Sequence, residues 1–251
     1  MVINMKKRKF RKSAIALFLV IVSAIGLCTP CFAANQRIVT VRTASEAMHF
    51  RKYESRGIIG ISKATLYRDN GPEAVYVVAT GGVSSFLKTT TNAVASVMSG
   101  FALDTAYLRV LKRSITQYVP EGSKIVFLSH SFGGMVAQQF AGDRKMRDRY
   151  EIINILALGS PYILTLGTEG TLHRLADTAD VIPLISTATV LNLYNNISFE
   201  DGGYGLDLYS SHNYSYLRDD VWGGYDCFGI KGGHYYLEID AGSTIGINDR
   251  W

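Results

Sequence analysis

Cysteine is scarce in this chain: there are 3 in 251 residues, and two of them, Cys28 and Cys31, lie in the first 33. Beyond residue 33 only Cys227 remains, so that part has no internal disulfide and must hold together by packing. A lone thiol there reads as a buried core residue. Clusters of His, Cys, Asp or Glu at metal-ligand spacing are missing as well, so the sequence gives no cue for a metal or a cofactor. Repeats, low-complexity blocks and long Pro/Gly linkers are also absent, which leaves no place to divide the chain after its first 33 residues.

An excess of positive charge is present only at first sight. The whole chain carries +5 and has a pI near 9.0. Lys6, Lys7, Arg8, Lys9, Arg11 and Lys12 form a basic segment, and Ala14 to Cys28 behind it is apolar. Gly26 and Pro30 break that stretch before Ala33-Ala34. A basic start, a short apolar run and small residues together predict a signal peptide over 1–33, cut after Ala33. The run is short for a membrane span. Six of the 26 basic residues lie in 1–33, so 20 face the 21 acidic ones beyond it. The basic pI belongs to the leader, and nucleic acid is not an expected partner. Residues 34–251 have the length of one domain with a large core. An exported chain without disulfides points to a secreted bacterial protein.

Apolar runs of strand length alternate with helical patterns. Gly57 to Tyr67 and Ala74 to Ala79 read as strands around the turn Arg68 to Pro72. Ala74 to Ala79 is continuously apolar, as a strand covered on both faces would be. Tyr107, Leu111, Ile115 and Tyr118 make one stripe of a helix over Asp104 to Val119. Lys124 to Leu128 and Ile152 to Leu158 read as further buried strands. This order predicts an α/β fold with a mainly parallel sheet flanked by helices. Residues 196–240 are rich in Gly, Tyr, Ser and Asp and read mostly as loops, with a late strand at His234 to Ile239.

Between the strand ending at Leu128 and a helix-like run Met135 to Ala141 stands Ser129-His130-Ser131-Phe132-Gly133-Gly134. Strand, tight turn with an apex serine, then helix is the setting of a nucleophile elbow. Ser129 takes the place of the first glycine of G-x-S-x-G. Gly133 and Gly134 leave no side chain where the helix must pass close to the strand. The apex serine is Ser131, and the Phe132 N–H would point at an oxyanion. A second donor is expected among the N–H groups of residues 80–83, with Gly81 the candidate, because Thr80-Gly81-Gly82 follows a buried strand.

A serine hydroxyl is a weak nucleophile and needs a base held by a carboxylate. With the order Ser, acid, His, His49 comes too early, His130 lies inside the elbow, and His173 precedes the best acid. His212 and His234 remain.

The elbow, then Leu158-Gly159-Ser160-Pro161, then Asp180-Val181-Ile182-Pro183, resembles the lipase class 3 branch of the α/β-hydrolases. The likeness covers roughly residues 74–216. It implies an α/β-hydrolase fold, Ser131 as nucleophile, Asp180 as acid, and His212 in His212-Asn213-Tyr214-Ser215-Tyr216 as base. It also implies an ester or lipid substrate and transient contact with a lipid surface. Asp177 competes with Asp180, and His234 with His212. The chain departs from the family at Ser129 and at Thr80-Gly81-Gly82, where an Arg-Gly-Thr run is usual. Val83 to Met98 and Leu184 to Tyr194 are nearly free of charge and could wall an acyl site.

Two rivals follow from other features. Ser85-Phe86-Leu87-Lys88 is an S-x-x-K, which with Lys231-Gly232-Gly233 faintly matches penicillin-recognising acyl-enzymes. A binding protein on the same fold would keep the architecture without the chemistry.

Overall fold

The computed structural model describes residues 37–82, 105–165, 167–185 and 196–248. The leader expected over 1–33, the stretch Val83 to Met98 with Ser85 and Lys88, and most of Leu184 to Tyr194 lie outside the described residues.

In chain order the elements begin with β1 (Ile38–Val41), α1 (Ala44–His49) and a π-helical turn at Phe50–Glu54. The hairpin β2 (Ile59–Arg68) and β3 (Gly71–Thr80) follows, then α2 (Ala106–Tyr118) and β4 (Lys124–His130). Next come α3 (Phe132–Gly142), α4 (Arg144–Arg147), β5 (Glu151–Leu158) and β6 (Thr171–Asp177). The last part holds β7 (Ile197–Glu200), α5 (Leu208–Asn213), α6 (Asp219–Trp222), β8 (Tyr236–Asp240) and β9 (Ile245–Ile247).

The strands form one sheet in the order β1-β8-β2-β3-β4-β5-β6-β7, with β9 also on β2. From β3 to β7 every neighbour is parallel. On the other side β1, β8, β2, β3 and β9 join antiparallel. The fold is α/β, with helices packed on the sheet.

Alternation along the strands feeds two cores. Val78, Ile125 and Phe127 face α2 and α3, meeting Leu111, Ile115, Val136 and Phe140. Val75, Val77, Val126 and Leu128 face the other way, toward Ala47 and Met48 of α1 and toward Trp222 and Tyr216. Successive strand residues point to opposite faces, so a run that is apolar throughout must be covered twice. Each large side chain fully buried there contributes about 1.5–3 kcal/mol.

Local chemistry fixes the ends. Thr43 and Glu46 form a reciprocal capping box at the start of α1. Thr105 caps α2 by accepting the Leu108 N–H at 3.1 Å. Gly71, with φ +92, closes the β2–β3 turn. Pro72 is tolerated inside β3 because β4 joins β3 only from Tyr76 onward.

Two regions differ from the sequence expectation. β6 carries His173, Arg174 and Asp177 and gave no strand signal. Within 196–240, read mostly as loops, the chain forms β7, α5 and α6, which are short and have weak periodicity.

Candidate active site

Ser131 stands between β4 and α3 with φ 57 and ψ −132. A non-glycine residue rarely takes positive φ, and holding it there costs on the order of 1–3 kcal/mol. The surroundings impose the turn. The Ser131 N–H donates to the Leu158 carbonyl at 2.9 Å, and the Gly134 N–H donates to the Ser131 carbonyl at 3.0 Å. A Cβ on Gly133 would lie 2.5 Å from the Thr80 carbonyl carbon, and one on Gly134 would collide with Ser160. Only glycines let α3 start this close to β3 and β5.

Ser129, the departure from glycine, has a partner. The Thr80 hydroxyl donates to the Gly133 carbonyl at 3.0 Å, which leaves its oxygen to accept from the Ser129 hydroxyl at 2.7 Å. The pair bolts β3, β4 and the first turn of α3 together.

His212 lies in α5, 81 residues further on, yet its Nε2 is 2.9 Å from Ser131 Oγ. Its Nδ1 is 2.8 Å from Asp180 Oδ2. A carboxylate only accepts, so Nδ1 carries the hydrogen and the Nε2 lone pair faces the serine hydroxyl. The Asp180 side chain is fully buried and receives two more bonds. The Tyr216 hydroxyl donates to Oδ2 at 2.7 Å, and the Ile182 N–H donates to Oδ1 at 3.0 Å. Burial, with the Asp180 carboxylate beside it, pushes the Tyr216 hydroxyl far above its ordinary range, so it stays a donor. Gly159 has φ +56, and a Cβ on it would come within 2.8 Å of Asp180 Oδ2.

The neighbours hold this chain of bonds in place. Asp177 does not face His212. It takes the Ala179 and Gly202 N–H groups and the Ser215 hydroxyl, and so anchors both the Asp180 loop and the segment after His212. Arg174, buried in β6, donates to the carbonyls of Ser160 and Pro183, each at 3.1 Å from Nη2. It thereby joins the turn after β5 to the Asp180 loop, and burial lowers its guanidinium to about 10. His130 Nε2 donates to the His212 carbonyl at 2.8 Å, and the two rings lie 4.7 Å apart. Burial, then the neighbouring His212 and Arg51, hold His130 well below the usual histidine range, so it is a neutral shelf under the imidazole.

The sequence candidates therefore separate. Ser131, His212 and Asp180 come together. His234 bonds the exposed Asp69 at 2.7 Å, in a different part of the molecule's hydrogen bonding. Lys231 pairs with Glu200 at 2.7 Å. Phe132 opens α3 directly after the serine. Gly81 needs correction as an oxyanion donor. Its N–H already donates to the Ile58 carbonyl at 2.9 Å and lies 3.2 Å from the Tyr107 hydroxyl. Gly82 is the residue beside the Ser131 hydroxyl: a Cβ on it would fall 3.2 Å from Ser131 Oγ.

No family model, curated protein or solved structure matches the chain. Among the described residues no group of three His, Cys, Asp or Glu side chains is placed to hold a metal ion. The sequence carries no cue for the roles of Arg174, Tyr216 and His130, whereas Gly82 lies within the expected donor range 80–83. Tyr216 ends the segment His212 to Tyr216, but its role shows only in its 2.7 Å bond to Asp180.

Proposed function

We propose that the protein is a serine hydrolase of the α/β-hydrolase kind that cleaves carboxylic esters. The observation that carries this reading is the relay Ser131 Oγ to His212 Nε2 at 2.9 Å and His212 Nδ1 to Asp180 Oδ2 at 2.8 Å, built on a serine at positive φ. Reach and tautomer both suit general-base activation. A binding module would not need a strained serine aimed at a buried His–Asp pair.

Ser131 Oγ attacks the ester carbonyl carbon while its proton passes to His212 Nε2. The imidazolium is held by the buried Asp180. The carbonyl oxygen takes the negative charge and is met by the N–H groups of Phe132 and Gly82. When the carbonyl re-forms, the C–O bond to the alcohol breaks and His212 gives that alcohol the proton. Water then attacks the acyl-serine, losing a proton to His212, and the acid leaves as Ser131 regains its hydrogen. Nothing in the cycle requires a metal or cofactor. The substrate is an ester or lipid ester. The basic-apolar segment 1–33 supports export from the cell, with the hydrolase beginning near Ala34.

The test is labelling by a fluorophosphonate with mapping of the modified peptide. We expect Ser131 to be labelled, and labelling to disappear in His212→Ala. Ser131→Ala should fold, keep its circular dichroism and lose ester turnover. Turnover retained by a folded Ser131→Ala would end this reading.

A further inference from the structure

One cation close to the site has nothing to do in the relay. Arg51 sits in the π-helical turn Phe50–Glu54, a rare backbone form that occurs often at functional sites. Its guanidinium occupies the space that a side chain on Gly81 would fill. It is half-buried, and its Nε is sealed from solvent with no hydrogen-bond partner. Among the described residues no carboxylate pairs with it. Glu54, the acid on the same turn, is taken by Arg37 at 2.6 Å. The groups whose charges Arg51 senses or perturbs are the Tyr107 hydroxyl and the neutral His130. Lys52 beside it adds a second positive charge, 3.5 Å from the Asn213 carbonyl and 4.6 Å over the Tyr214 ring.

A half-buried guanidinium with one sealed N–H unpaired is costly to desolvate, and its planar fork is suited to receive an anion. The place is specific. Gly81 adjoins Gly82, and Gly82 borders Ser131 Oγ. Joining these contacts through two Cα–Cβ bonds and one Cα–Cα step puts the guanidinium no more than about 11 Å from Ser131 Oγ. We infer that Arg51 is a specificity residue: it receives an anionic group, phosphate or carboxylate, borne by the ester within about 11 Å of its scissile carbonyl. This rests on the hydrolase reading of Ser131 and adds the substrate class. The guanidinium forks onto two oxygens of the anion, and Lys52 strengthens the field at the rim. Burial lowers the Arg51 guanidinium below its ordinary value, yet it stays charged at neutral pH and its charge is available to a ligand.

The experiment compares matched esters on the purified protein. Mono-p-nitrophenyl adipate is set against p-nitrophenyl hexanoate, and 1-hexanoylglycerol 3-phosphate against 1-hexanoylglycerol. The first pair puts a carboxylate on the acyl side, and the second puts a phosphate on the alcohol side. We expect kcat/KM to favour the anionic member of at least one pair by about 10- to 100-fold, the worth of a charge-assisted bond to a desolvated guanidinium. Which pair responds identifies the anion. Arg51→Gln should cut that ratio at least tenfold, and Arg51→Lys should keep part of it. Added salt should shrink the ratio in the unaltered protein, a reading that needs no variant to fold. Turnover of the neutral esters with no anionic preference, or a preference that survives Arg51→Gln, would overturn the inference while leaving the hydrolase reading intact. Failure to cleave any of the four, together with no fluorophosphonate on Ser131, would overturn both.

Discussion

Asp180→Asn exchanges one oxygen for an NH2 group and changes almost nothing in volume. The carboxylate it replaces is fully enclosed and only accepts: from His212 Nδ1 at 2.8 Å, from the Tyr216 hydroxyl at 2.7 Å, and from the Ile182 N–H at 3.0 Å. The first two share Oδ2 and the third is alone on Oδ1. An amide has one oxygen, so one side of the group must turn donors toward donors. If the NH2 takes the Oδ1 side, it opposes the Ile182 N–H in a dry site. If it takes the Oδ2 side, His212 must move its hydrogen to Nε2, and Ser131 then faces a donor and has no base. Either way the imidazolium formed during attack loses its buried counter-charge. We expect kcat to fall about 1,000- to 10,000-fold, because both the tautomer and the charge depend on that oxygen pair. One unsatisfied buried donor costs about 1–3 kcal/mol, which in a domain of this size lowers Tm by about 2–12 °C. Steady-state hydrolysis of a p-nitrophenyl ester and a circular-dichroism melt measure the two effects. A folded variant that keeps more than a tenth of the wild-type kcat would show that Asp180 does not orient the base.

Three further perturbations follow from the geometry. Gly82→Ala places a Cβ 3.0 Å from Ser131 Cβ and 3.2 Å from its Oγ, so the nucleophile must shift by a few tenths of an ångström; kcat should drop roughly tenfold with little change in Tm, and an unaffected kcat would remove Gly82 from the site wall. Ser131→Gly and Ser131→Ala both lose the hydroxyl, but only glycine relaxes φ 57, so the glycine variant should be the more stable by roughly 0.5–2 kcal/mol, and a less stable glycine variant would mean the turn holds no strain. His130, held neutral by burial and then by His212, Arg51 and Lys52, binds its proton more weakly folded than unfolded, so the unfolded state takes up more protons as pH falls below about 6.5 and stability declines there; His130→Gln should flatten the fall of Tm between pH 6.5 and 5, and equal slopes would rule this out.

The parallel part of the sheet could be read because its strands are buried on both faces. Ala74 to Ala79 and Ile125 to Leu128 are unbroken apolar runs, and Ile152 to Leu158 is broken only by Asn154, as expected of strands covered on both faces. β6 could not be read. His173 bonds Asn154, Arg174 bonds the carbonyls of Ser160 and Pro183, and Asp177 collects donors from residues 179, 202 and 215. Each polar side chain has at least one partner nine or more residues away, so local pattern carries no trace of its burial. The same division applies to the site. Ser131 was legible because an elbow is a local motif. Asp180 and His212 were legible as candidates through a family likeness, while the choice over Asp177 and His234 needed distances. Gly81 failed as a donor because its N–H is spent on Ile58, a bond set by the path of the chain before β2. Arg51 gave no signal at all: Arg51-Lys52 looks like an ordinary solvated pair until Gly81 is placed under it.

The position of β2 has a consequence for how the molecule is made. β2 is flanked by β3 on one side and by β8 and β9 on the other, and those two strands come from residues 236–247. β1, near residue 38, closes against β8 as well. A nascent chain that has emerged only as far as His212 already carries every group of the relay, yet β2 still presents an open edge. The antiparallel side of the sheet therefore closes only once residues 236–247 are available, whereas the parallel pairing from β3 to β7 does not involve them. Closure of β2 is thus a contact of long sequence separation, and such contacts form slowly and leave an edge exposed in the meantime.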